Sequence, residues 1–443
     1  MLDFEVFPLV VPSDSESVVR VRPKFAQRVF PAASQIEVKL LPLDGLYPDG
    51  SWRGIRGGND ELLGWSLEPD GSLLVRGWFT GEQEHNLTIV LTDPGVRDAD
   101  RLRGRESYRF NLYSVGPDLL GLQVFRGDFH MHSEYSDGRE APEYVAARCR
   151  EFGMDFIAVT DHRRYAPSLR AIEVWRKFAT GLKLYPGEEV HTPDNLVHII
   201  NFGGSESVNE LSRRDEAKYR REVAEIAAGF GEVTPGLDPF PVAASEWAFD
   251  RIRACGGVAV FCHPYWQTEQ YVISEAVTSE VLKRRKFDAF ELIGGFYPGQ
   301  WRSNNFQVAR YQQERENGNR FPVVGLSDSH GVDLDPERER LAGWYSTLVL
   351  AESDEFPALA AAIRAGRSVA VEQVGSGIPR VFGEFRLVKY LSFLLESYFP
   401  YHDRLCAEEG MLMTDALGGD PAAKSALEAV AGRVAEYRRR CFA

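Results

Sequence analysis

From residue 124 onward the chain alternates short apolar runs with longer stretches of helical periodicity, and this rhythm restricts its fold more than any other feature. Such alternation belongs to strand–helix units wrapped around a parallel sheet or barrel. Seven candidate strands fall at 124–131, 155–160, 183–186, 196–202, 257–262, 289–293 and 322–326. Helix-like stretches lie between them at 141–152, 210–229 and 245–254, and Gly153 suits a helix C-terminal stop after the first. A strand at 347–351, a helix at 356–365 and the run Gly366-Arg367-Ser368-Val369-Ala370 extend the pattern. The expected class is α/β.

Before that point the rhythm is different. Runs at 37–41, 72–79 and 87–91 are rich in β-branched, aromatic and leucine residues. Turn-prone stretches separate them: Pro48-Asp49-Gly50, Gly57-Gly58-Asn59-Asp60 and Pro69-Asp70-Gly71. No helical run interrupts them, so a small β-sandwich is expected there. The tail from about residue 387 reads as helix. A length of 443 residues exceeds one hydrophobic core. Three parts are expected: a β-rich domain at 1–122, an α/β domain at 123–375 and a helical segment at 376–443.

Charge and cysteine content remove several function classes. A net charge of −14 disfavours stable binding to nucleic acid or an anionic membrane, while leaving room for a local pocket that takes a small anion. Five cysteines without CxxC spacing fit neither a zinc finger nor a disulfide framework. No basic segment followed by an apolar one opens the sequence, and no apolar stretch is long enough to span a bilayer. A cytoplasmic location is the expectation.

The chemistry concentrates at the ends of the candidate strands. His130-Met131-His132 puts two imidazoles on one side of an extended chain, where they can grip one metal ion. Asp137 follows in Ser136-Asp137-Gly138. The next strands bring Thr160-Asp161-His162, then Gly187-Glu188-Glu189, then His198, His263-Pro264, and finally Ser327-Asp328-Ser329-His330. Six of the nine histidines therefore sit in one ordered series, most at the carboxyl ends of strands, where barrel enzymes build their sites. Histidine and carboxylate are ligands for Zn²⁺, Mn²⁺ or Fe²⁺, and about nine of them suit two or three ions rather than one. His85, His191 and His402 are read as ordinary core or surface histidines; His191 is noted only as lying two residues beyond Glu189.

The ordered motifs HMH-x4-D, TDH, GEE, a lone histidine, HP and SDSH resemble those of the PHP (polymerase and histidinol phosphatase) superfamily, over residues 124–374. The resemblance implies a distorted seven-stranded (β/α) barrel and two or three divalent metal ions. It also implies a ligand assignment. His130, His132 and Asp328 would hold one ion, and Glu189 would bridge it to a second held by His198 and His263. Asp137, His162 and His330 would hold a third, where many relatives carry histidine in place of Asp137. Glu189 rather than Glu188 follows the family's Gly-x-Glu spacing, and Glu188 should point away. The β-rich start and the strand–helix–strand close of the barrel look like the branch that includes carbaryl hydrolase.

The implied reaction is hydrolysis, with water activated between two divalent cations. Asp161 could orient His162 or take a proton, and Glu291 is expected to accept a hydrogen bond beside the ligands. Arg163 and Arg164 could clamp a phosphate, and Tyr265, Trp266, Phe296 and Tyr297 could stack on an aromatic group. Three readings stay open: a phosphoesterase for a small phosphate ester or nucleotide, a carboxylic or carbamate ester hydrolase, and a binding protein of PHP fold without turnover. The expected partner is a small anionic ester, with self-association into a homo-oligomer left open.

Overall fold

The computed structural model describes residues 4–25, 30, 35–45, 61–92, 105–268, 272–295, 297–335, 339 and 341–442. The turn stretches at 48–50 and 57–60, and Phe296, lie outside the described residues. The chain divides into two compact units. One comprises residues 1–123, 389–401 and 435–443, the other 124–388 and 402–434. The helical tail, read from sequence as one segment, thus divides between the two.

Among the described residues nine strands build the first unit: β1 (Phe4–Phe7), β2 (Val10–Pro12), β3 (Ser15–Pro23), β4 (Ile36–Pro42), β5 (Glu61–Leu62), β6 (Gly64–Leu67), β7 (Leu73–Phe79), β8 (Gln83–Thr92) and β9 (Arg105–Val115). They form a four-stranded sheet, β1-β3-β7-β6, and a five-stranded sheet, β2-β9-β8-β4-β5. Alternation fixes the buried face: Val19 and Val21 of β3 are fully buried, while Arg20 and Arg22 between them are exposed. Pro69-Asp70-Gly71 makes the expected turn, with Gly71 N–H donating to Glu68 O at 3.0 Å. Within the same unit Tyr390 packs on Tyr113 at 5.0 Å, and Tyr398 stacks on Tyr437 at 5.2 Å.

The second unit alternates strands and helices as its sequence rhythm requires. Its strands are β10 (Gln123–Asp128), β11 (Phe156–Ile157), β12 (Lys183–Leu184), β13 (Gly187–Val190), β14 (Ile199–Phe202), β15 (Val258–Phe261), β16 (Ala289–Gly294), β17 (Val323–Leu326), β18 (Tyr345–Ala351), β19 (Ser368–Glu372) and β20 (Arg380–Phe382). Among the described residues these helices accompany them: α1 (Pro142–Glu151), α2 (Ala166–Trp175), α3 (Val208–Arg214), α4 (Glu216–Ala228), α5 (Phe240–Ala254), α6 (Glu275–Arg284), α7 (Trp301–Glu316) and α8 (Phe356–Arg364). The tail folds as α9 (Phe385–Ser397), α10 (Phe399–Leu417), α11 (Pro421–Val430) and α12 (Arg433–Cys441). Among the described residues no helix is long and apolar enough to cross a membrane. Gly153, at φ 89°, stops α1 as expected, whereas the stretch read as one helix at 210–229 breaks at Asp215, whose side chain caps Lys218 N–H.

Two sheets result, β12-β11-β10-β18-β19-β20 and β13-β14-β15-β16-β17. Isolated parallel bridges join them at Met131–Ser329, beyond β10 and β17, and at His162–Glu189, beyond β11 and within β13. Strands β13 to β17 are buried at every position, the mark of a sheet covered on both faces. The stretch read as a single strand running into Gly187-Glu188-Glu189 is instead two strands in two sheets. Pro186 separates them, since it lacks the N–H a continuous ladder needs.

Candidate metal centre

Backbone placement explains why so many ligands meet. One bridge lays the segment after β10 against the segment after β17, and the other lays the segment after β11 against β13, so residues far apart in sequence line one mouth. His132 N–H donates to Ser329 O at 2.8 Å, and Arg163 N–H donates to Glu189 O at 3.0 Å. Asp128 accepts from His130 N–H at 3.3 Å and Ser327 N–H at 3.1 Å, tying the ends of β10 and β17 together, and burial pushes its carboxyl up to about 7. Gly294 is required where β16 meets β17: its φ is 145°, and a Cβ there would lie 1.6 Å from Leu326 O. Arg163, His263 and Asp328 hold left-handed φ values of 60°, 26° and 48°. Each costs about 1–2 kcal/mol for a residue with a Cβ, a strain that clusters where side chains must be aimed.

Glu189 is the hub. It is fully buried, and six imidazoles face its carboxylate. His198 Nδ1 lies 2.7 Å away, His191 and His263 Nε2 3.4 Å each, His132 Nε2 3.6 Å and His130 Nε2 3.8 Å, while His162 Nδ1 touches Oε2. Asp328 Oδ1 stands 2.8 Å from His132 Nε2 and 3.1 Å from His130 Nε2. Asp137 lies 3.3 Å from His162 Nε2 and 3.4 Å from His330 Nε2. All nine residues expected as ligands are therefore gathered at one place.

Neighbouring groups aim the rings. Glu291 Oε2 lies 2.8 Å from His130 Nδ1, which turns Nε2 toward Asp328 and Glu189. The Asp328 carbonyl holds His330 Nδ1 at 2.8 Å and leaves Nε2 facing Asp137. Strand alternation sends Glu188 the other way, as expected: it accepts from Ser207 Oγ at 2.7 Å, Val208 N–H at 2.5 Å and Asn209 Nδ2 at 2.9 Å, at the start of α3.

Burial opposes ionisation of Glu189, but the His162, His198 and His191 rings outweigh it and hold the carboxyl well below its usual range. Asp328 is held down in the same way, chiefly by His130. Burial drives His132 down to about 4 and His198 down to about 3, while Glu189 and Asp137 overcome burial at His162 and lift it to about 11. Divalent cations fit this donor set. Both Glu189 oxygens are buried and accept no well-formed hydrogen bond among the described residues. Among the described residues their ion pairs, like those of Asp328, Asp137 and Glu291, involve histidine and never lysine or arginine.

The remaining candidates are placed unevenly. Asp161 is buried and accepts from Ser133 N–H at 2.8 Å, Ser133 Oγ at 2.6 Å and Ser136 Oγ at 2.5 Å. It forms no hydrogen bond with the His162 ring among the described residues, so its contacts tether the loop that carries Asp137. Arg163 and Arg164 are exposed beside His162 and form no ion pair among the described residues. Tyr265 meets Glu275 at 3.4 Å, Trp266 lies edge-on to His263 at 5.7 Å, and Tyr297 is exposed. His85 belongs to the first unit, where it lies 2.8 Å from Ser114 Oγ, and His402 is buried against Asp155 at 3.0 Å. His191, set aside in the sequence, joins the centre. It shares a face with Glu189 by the same two-residue spacing as His130 and His132, which is the signal that could have found it.

Residues 128–227 match the PHP domain family. The chain is 40% identical over 89 residues to the DNA polymerase/3'-5' exonuclease PolX of Bacillus subtilis, a match covering 20% of this chain and 14% of that one. It is 28% identical over 159 residues to the error-prone DNA polymerase of Xanthomonas axonopodis pv. citri, covering 32% and 14% respectively. The chain thus spans 14% of the length of these curated relatives. Among solved structures it is similar to a two-domain protein of Bacteroides vulgatus containing a predicted PHP-like metal-dependent phosphoesterase, at 19% identity and a TM-score of 0.40, covering 62% of this chain and 71% of that one. The stretch that matches the PHP domain carries His130, His132, Asp137, His162, Glu189 and His198.

Proposed function

We propose that the chain is a metal-dependent hydrolase, and specifically a phosphoesterase acting on a small phosphate ester or nucleotide. The observation that carries this reading is Glu189 with six imidazoles around its carboxylate and, among the described residues, no lysine or arginine in its ion pairs. In this reading the two sheets, joined by their bridges, contain the distorted seven-stranded barrel of the family with further strands added to it, and the strands described in the first unit are a β-sandwich. His130, His132 and Asp328 would hold one divalent ion. His198 and His263 would hold a second bridged through Glu189, and Asp137, His162 and His330 a third. Bound there, Zn²⁺, Mn²⁺ or Fe²⁺ supplies Lewis acidity toward water and toward the charge on the transferred group.

The protein's own groups do the rest. Glu291 and the Asp328 carbonyl fix which nitrogen of His130 and His330 is free to ligate. Asp161, held by Ser133 and Ser136, keeps the Asp137 loop closed on the centre. Arg163 places a guanidinium at the rim, where it can pair with phosphate oxygens and favour an anionic ester over a neutral one. The test is metal content by mass spectrometry of the purified protein, with hydrolysis of p-nitrophenyl phosphate, bis-p-nitrophenyl phosphate and a naphthyl carbamate under added Mn²⁺ or Zn²⁺. Two to three ions and turnover of a phosphate ester are expected. Turnover of the carbamate alone would reject the phosphoesterase reading, and no metal with no turnover would reject the hydrolase.

A further inference from the structure

We propose that His191 is an additional metal ligand of this chain, acting with Glu189 on the inner side of the centre that His162 Nδ1 also faces. The inference rests on the metal-hydrolase reading and sharpens it. His191 Nε2 lies 3.0 Å from His162 Nδ1 and 3.4 Å from Glu189 Oε2, and the three donor atoms fall within 4.8 Å of one another. That spacing matches the His130–His132–Asp328 and Asp137–His162–His330 groupings.

The His191 side chain is only 10% exposed, and its position is built rather than incidental. Asn209, fully buried, accepts from His191 N–H at 2.9 Å and donates to Glu189 O at 2.9 Å, fixing the backbone on both sides of the pair. The His191 ring lies against the His198 ring with centroids 3.8 Å apart, which limits its rotation.

His162 explains what such a ligand would add. Its Nε2 faces Asp137 at 3.3 Å, and its Nδ1 faces Glu189 and His191. A neutral imidazole has one nitrogen lone pair to give and carries a proton on the other, so His162 can serve only one of its two sides at a time. His191 gives the inner side an imidazole of its own. An ion beside Glu189 then keeps a nitrogen donor when His162 is committed to Asp137 and His330.

The experiment strips the full-length protein of metal, titrates it with Co²⁺ and reads both stoichiometry and the visible absorption spectrum. Wild type, His191→Ala and His191→Gln are compared at matched circular dichroism. Expected for His191→Ala is the loss of one ion, or roughly tenfold or greater weakening of one binding step, with an altered cobalt spectrum. His191→Gln should not restore it, because an amide keeps a hydrogen bond to His162 but is a poor ligand. An unchanged spectrum and stoichiometry in His191→Ala would overturn the inference and leave the hydrolase reading standing. Restoration by His191→Gln would reduce His191 to a residue that positions His162. Failure of wild type itself to bind Co²⁺ would remove both readings.

Discussion

The second unit buries two dense polar networks, and the contrast between them lies in where the positive charge comes from. Around Arg150, the cation belongs to the chain. This side chain is fully buried and donates to Glu409 Oε2 at 2.8 Å, to Met154 O at 2.9 Å and to Asp155 Oδ1 at 3.4 Å. His402 joins Asp155 at 3.0 Å and Asp403 at 2.9 Å, and Arg126 pairs with Asp403 at 2.9 Å. Around Glu189 the carboxylates pair, among the described residues, only with imidazoles, two of which, His132 and His198, burial holds in the neutral form. Buried carboxylates need compensation, and here the protein has arranged donors without supplying a fixed cation. Asp155, His402 and Cys406 also have ligand chemistry and ligand spacing. The guanidinium already on Asp155 separates that group from the Glu189 centre.

The comparison breaks most visibly if the Glu189 centre tolerates the loss of a ligand. Asp328→Ala or His132→Ala should lower turnover by roughly a thousandfold or more, about 4 kcal/mol of barrier, and reduce bound metal. Near-normal kcat/KM in either variant would sink the ligand assignment. At the other network the largest effect should be on stability instead. Arg150→Met leaves Glu409 and Asp155 buried without their cation and should cost about 3–5 kcal/mol in urea unfolding, with metal content per folded molecule unchanged. Adding Glu409→Leu should recover part of that loss, since the pair would then be replaced rather than broken. A metal-deficient Arg150→Met would mean that the two networks are coupled.

How much of this was legible depends on whether a feature is local. The two-residue period of an extended chain aimed His130 with His132, whereas the choice of Glu189 over Glu188 and the grouping of the ligands came from the family resemblance. The same rule pointed to His191, but its value depended on β13 being a strand of its own after Pro186. Asp161 was harder, because its partners Ser133 and Ser136 lie on another segment and no spacing reveals them. In the first unit β3 went unread because Arg20 and Arg22 alternate with valine, which is a half-buried strand rather than an apolar run. Breaks within the tail come at Pro400, near the start of α10, and at Gly418-Gly419 before α11. Its division between two units is tertiary, and helical periodicity carries no trace of it.

Metal removal sharpens the contrast at a smaller scale. Ions that bind only the folded state stabilise it by about 2.7 kcal/mol each when present at a hundredfold excess over their Kd. Chelation should therefore lower Tm, and Mn²⁺ or Zn²⁺ should restore it. His402→Gln should leave that metal-dependent rise intact, whereas Asp328→Ala should abolish most of it. A metal response that disappears in His402→Gln would show that the Arg150 network also takes an ion.

The smallest effect is expected at Asp137, and its size tests whether the Glu189 centre acts as one body. Asp137 is the outermost of the nine ligands, with about half its side chain exposed, and it meets the cluster through His162 and His330 at 3.3–3.4 Å and through His132 at 3.8 Å. Solvent can replace one of its oxygens more readily than it can reach Glu189 or Asp328. Asp137→Ala should therefore lower kcat/KM by roughly tenfold, about 1.4 kcal/mol, and release one ion while the other two stay. A loss as large as that of Asp328→Ala would mean that the ions fill and empty together. The centre would then resemble the Arg150 network after all, a set of charges that fails as a unit once any member is withdrawn.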